Sequence, residues 1–172
     1  MAAKTSDKLA GPNVRGNEHD PAWPADVAPT LTRLQHLLQA GKPGEALALL
    51  TQTRGDSPWL TNAAGVCLLR QGKVEQALVI FRGLALAASG FGLREDVPVR
   101  FKTNYAAAQL LSGMHAGCVV TLSQTRAEAD PSVRRLREGI RRWQQTLSFW
   151  QRCRLFMGSE VSPVVLEQPG EL

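Results

Sequence analysis

Gly41, Gly72 and Gly113 constrain this chain more than anything else in it. Each follows a run of apolar residues at helical spacing, and the same kinds of residue recur around all three. Leucine stands three residues before each (Leu38, Leu69, Leu110), and a small residue stands five after (Ala46, Ala77, Cys118). A large apolar residue stands nine after: Leu50, Phe81, Leu122. Seven residues before stand Leu34, Gly65 and Ala106, small in the last two repeats. Glycine suits the left-handed position that ends a helix, and apolar stripes on both sides of it describe a hairpin of two packed helices. Small residues facing each other let helix axes approach, which places the crossing of the second hairpin at Gly65 and Ala77. The glycines are 31 and 41 residues apart, and a loop of ten residues, Ser89–Pro98, accounts for the difference.

Around these hairpins the chain divides by composition. Residues 1–29 carry four prolines among polar and charged residues and read as a disordered or extended arm, with Trp23 as its one aromatic. The helical domain spans 30–157, with hairpins over about 30–55, 58–88 and 98–129. Asp130-Pro131-Ser132 reads as a helix cap and first-turn proline. It opens one helix expected to run over 131–157, with an apolar seam through Val133, Leu136, Ile140, Trp143, Leu147 and Trp150. Residues 158–172 have the composition of a tail, with Val161–Leu166 as one short extended contact.

The three units resemble the tetratricopeptide repeat. The second matches through Gly65, Leu68, Gly72, Ala77 and Phe81, and the third through Asn104, Tyr105, Ala106 and Gly113, with Pro131 closing it. The resemblance implies an all-α fold: a TPR-like α-α superhelix, a right-handed solenoid of helical hairpins with about seven helices. The last helix would take the place of the cap such arrays require. It also implies a non-catalytic adaptor or scaffold that binds a protein or peptide segment in a concave groove lined by the first helix of each hairpin. Carried over position by position, that groove holds Trp59, Asn62, Val66, Arg70, Arg100, Thr103, Asn104 and Ala107. Asn62 is suited to grip a peptide backbone with its amide, and Arg70 and Arg100 to hold a carboxylate, so the expected partner segment is partly acidic. The carboxylate clamp that some members use on chaperone C-termini does not carry over. Its positions hold Leu31, Gln35, Ala63, Arg100 and Asn104 here, of which only the last two would serve.

Charge singles out a second region. The chain carries a formal +5, yet seven arginines and one glutamate fall between Ser132 and Met157, so the remainder is close to neutral. Near the end of that segment Trp143, Phe149, Trp150, Arg152, Arg154 and Phe156 form a candidate second interface, because its apolar residues no longer keep to one stripe. Its alternative roles are docking a protein, including another copy of the chain, or seating the helix on an anionic membrane surface. Nucleic acid is disfavoured, since no recognition motif accompanies the arginines.

Nothing in the pattern points to catalysis, a metal or a cofactor. His19, His36 and His115 have no metal-ligand spacing, and no phosphate-cradling or nucleophile motif occurs. Three cysteines inside helical patterns (Cys67, Cys118, Cys153) suit buried thiols in a reducing, cytoplasmic setting. The expected start of the chain lacks the apolar core of a signal peptide.

Overall fold

A computed structural model describes residues 23–53, 55–90, 92–156, 164–166 and 168–172. It is all-α. Eight helices lie among the described residues: α1 (Ala28–Gln39), α2 (Pro43–Gln52), α3 (Pro58–Arg70), α4 (Val74–Ala85), α5 (Val99–Leu111), α6 (His115–Thr125), α7 (Pro131–Thr146) and α8 (Phe149–Phe156). Helices α1, α3, α5 and α7 touch in succession, while α2 and α4 each pack against the helix on either side of them in sequence and α6 packs against α5.

The three glycines end α1, α3 and α5 in the same way. All have positive φ, at 71°, 74° and 82°. Behind each, two backbone bonds close the helix: Lys42 N–H to Leu37 O with Gly41 N–H to Leu38 O, Lys73 to Leu68 with Gly72 to Leu69, and Met114 to Gln109 with Gly113 to Leu110. These paired bonds satisfy the last carbonyls of each helix and turn the chain into the next. The residues in register with the glycines are nearly all in the interior. Leu34, Ala46, Ala77, Phe81 and Cys118 have no exposed surface, and Leu38, Leu69, Leu110 and Leu122 are almost as deep.

Phe81 is the nearest neighbour of Gly65. A Cβ there would stand 2.7 Å from Cε1 and Cζ of Phe81, so the phenyl ring occupies the space above it. The missing side chain seats the largest residue of α4 in the hairpin.

Three boundaries differ from those read in the sequence. Trp23 and Val27 pack into the first core cluster, so the domain starts before residue 30; residues 1–22 of the expected arm lie outside the described residues. The helix expected over 131–157 breaks at Leu147, whose ψ of 137° is extended. The break has a local cause. Ser148 N–H donates to Gln151 Oε1 at 2.8 Å, and Gln151 N–H donates back to Ser148 Oγ at 3.3 Å. This reciprocal capping box starts a new helix. Finally, the closing residues are held on the helices. Val164 is buried in the second core cluster, Leu166 packs beside it, and Leu172 is buried in the first.

Candidate functional site

Asn62, Arg100, Thr103, Asn104 and Ser132 are buried polar residues of α3, α5 and α7, while Gln109 and Thr121 pair separately between α5 and α6. Asn62 of α3 and Asn104 of α5 are both fully buried, and Asn104 Nδ2 donates to Asn62 Oδ1 at 2.8 Å. Burying two carboxamides is costly unless their donors and acceptors are used. The partner is a backbone segment, Pro169–Leu172, lying across them. Glu171 O accepts from Asn62 Nδ2 at 3.1 Å and from Asn104 Nδ2 at 2.7 Å, while Glu171 N–H donates to Asn104 Oδ1 at 2.9 Å. Asn104 thereby pairs with one residue's N–H and C=O together.

Arg70, in the last turn of α3, extends the grip along the same segment. Its Nε donates to Pro169 O at 3.3 Å and its Nη2 to Gly170 O at 3.2 Å, while Nη1 donates to Leu38 O at the end of α1. Burial pushes its pKa below the ordinary guanidinium value, and the carboxylate of Glu171 opposes that fall. The floor beneath is apolar: a Cβ on Gly170 would lie 3.2 Å from Val66 Cγ2 and 3.4 Å from Leu69 Cδ2.

The carboxylate of Glu171 goes to α7. Arg135 Nε and Nη2 reach its two oxygens at 2.7 and 2.6 Å, a bidentate pair that raises the arginine's pKa. Arg100 is buried in the same neighbourhood. Desolvation lowers its pKa, with Glu171 working against the shift and Arg135 adding to it.

Of the eight residues placed in the groove by sequence, Asn62, Val66, Arg70 and Asn104 meet on this segment. Trp59 stands edge-on to Phe101 at 5.1 Å and bridges α3 to α5. Thr103 donates to Val99 O and lies 3.3 Å from Ser132 Oγ, and Ala107 belongs to the core cluster shared with α7. Those two positions are therefore covered by α7. Arg135 is one of the seven arginines between Ser132 and Met157, and the sequence reading does not single it out. Its place one turn after the Asp130 cap, on the helix adjoining α5, was the available signal.

The second candidate interface divides. Trp143 is buried and stacks on His115 with centroids 5.2 Å apart, so it belongs to the α6–α7 contact. Phe149 and Trp150 are 72% and 76% exposed and form an edge-on pair at 5.8 Å. Trp150 thus leaves the seam that was to run through it, because the break at Leu147 re-aims α8. Arg152 donates to Leu147 O, Arg154 is exposed, and the side chain of Phe156 lies outside the described residues.

Among the described residues no group of three or more His, Cys, Asp or Glu could hold a metal ion, and no helix is long and apolar enough to cross a membrane. A shallow recess lies elsewhere, at the end of α4 around Val79, Arg82, Gly83 and Leu86. No protein-family model, curated protein or solved structure matches this chain.

Proposed function

We propose that this chain is a non-catalytic adaptor of tetratricopeptide type, which binds an extended segment of a partner protein on the α3–α5–α7 face. The observation that carries the reading is the treatment of Pro169–Leu172: three backbone carbonyls and one N–H are met by Asn62, Asn104 and Arg70. Backbone groups are common to all peptides, so such a set grips a strand whatever its sequence and leaves selectivity to side chains. Panning random heptapeptides over the full chain tests this. Peptides enriched on the wild type should be lost on the isosteric Asn62→Asp/Asn104→Asp variant, which gives up both amide donors. No enrichment, or the same peptides on both proteins, would count against it.

A second reading rests on Phe149 and Trp150. Two exposed aromatic rings beside Arg152 and Arg154 fit a module that works at an anionic membrane surface or in assembly. Flotation with phosphatidylserine-containing vesicles, lost in Phe149→Ala/Trp150→Ala, would favour it. Wild-type protein left at the bottom of the gradient would count against it.

A further inference from the structure

Residues 169–172 also describe what the face selects. The backbone grip is indifferent to sequence, but three side-chain positions along the segment are not. At residue 170 the backbone has φ of +78°, and a Cβ would press on Val66, so glycine fits where other residues are strained. At residue 171 a carboxylate meets the fork of the exposed Arg135, with the buried Arg100 in the same region. At residue 172 a leucine is buried in the cluster that contains Val66, Leu69 and Tyr105. Each requirement comes from a different helix or contact, and together they define a motif.

We propose, resting on the adaptor reading above, that the partner segment carries glycine, an acidic residue and a large apolar residue in succession, and that residues 169–172 are an internal copy that competes for the same face. The chain therefore presents its site occupied, and a partner binds by displacing that copy. A tethered segment acts at an effective concentration on the order of millimolar, so it masks the face from weak, non-matching peptides. The path of the chain fits a detachable segment. Leu166 packs on α7 where Gly139 leaves room, its Cδ2 only 3.0 Å from where a Cβ would be, and Val164 is buried beside it. This anchor is separate from the contacts of 169–172, so those can release while the anchor holds.

The test uses full-length protein and a fluorescein-labelled peptide with the sequence of residues 166–172, followed by anisotropy. Glu171→Arg sets the internal copy against Arg135 and should bind the peptide at least tenfold more tightly than the wild type does. On Glu171→Arg, a peptide with lysine in place of its second glutamate should bind about tenfold more weakly than the parent peptide. Arg135→Glu should reverse that preference. Equal binding by wild type and Glu171→Arg, or no effect of the lysine, overturns the proposal.

Panning random heptapeptides over Glu171→Arg separates the two failures. Enrichment of unrelated sequences leaves the adaptor standing and removes this motif, whereas no enrichment on folded protein removes both. Light scattering decides against exchange between copies: both proteins should be monomeric, and a dimer lost in Glu171→Arg overturns the proposal in favour of a swapped segment. Hydrogen exchange on the wild type gives an answer even where the variants fold poorly. The Glu171 amide should exchange much faster than amides in the middle of α3. Equal protection would make the segment a permanent part of the core and contradict displacement.

Discussion

The α3–α5–α7 face and the α8 end treat their unusual residues in opposite ways. On the face, polar groups are buried and paired: Asn62 and Asn104 have almost no exposed surface, and both bond to the backbone of Glu171. At α8, apolar groups are exposed, with Phe149 and Trp150 largely in solvent. The first arrangement contributes to stability because every buried amide has a partner. The second contributes little, since its rings bury little against the fold. The two regions should therefore separate in mutational energetics, with large effects inward and small ones at the end.

The largest effect tests the frame that carries the face. Phe81→Ala removes a fully buried ring seated over Gly65 and should cost about 3–5 kcal/mol in urea-induced unfolding. Asn104→Ala should cost about 1–3 kcal/mol, because it strands Asn62 Oδ1 and the Glu171 N–H and leaves Glu171 O with Asn62 Nδ2 alone. At the other extreme, Phe149→Ala/Trp150→Ala should change stability by no more than about 0.5 kcal/mol. A cost from the α8 pair as large as that of Asn104→Ala would break the comparison.

Between the two regions lies the α6–α7 contact, which should respond to pH. Burial lowers the pKa of His115 below its usual 6.5 despite a bond with the Gly113 backbone that raises it. Its Nε2 has no hydrogen-bond partner beneath Trp143, so a proton there would be poorly placed. Because the folded-state pKa is the lower one, the contribution of the neutral ring is complete above about pH 6.5 and is lost as pH falls below it. Urea midpoints should fall between pH 7.5 and pH 5 by more in the wild type than in His115→Phe. An identical fall would assign the pH dependence to other groups.

The hairpins were legible because local chemistry decides them. A left-handed glycine, a leucine before it and a small residue after it fix each turn and its packing in one short stretch, and Gly41, Gly72 and Gly113 all obey. That Asn62, Arg70 and Asn104 share one face was legible for the same reason, since position within a helical hairpin sets which way a side chain points. The break at Leu147 was also written locally, in the Ser148-x-x-Gln151 capping box, but the apolar seam running through it masked the signal. The seating of Leu172 was not legible. A segment with Pro169 and Gly170 has no periodicity of its own, and its placement depends on Asn104, 67 positions earlier. Likewise the pairing of the Glu171 carboxylate with Arg135 was not legible, and Arg70 is turned along the segment to bond carbonyls.

The central claim is that Pro169–Leu172 lies on α3 and α5 in the Asn62–Asn104 grip. The most direct measurement is a carbon- and nitrogen-edited NOE spectrum of the full chain at neutral pH. The account predicts cross-peaks from the Gly170 α-protons to the Val66 methyls, and from the Glu171 amide to the Asn104 side chain. Random-coil shifts for residues 169–172, with neither set of cross-peaks, would contradict it.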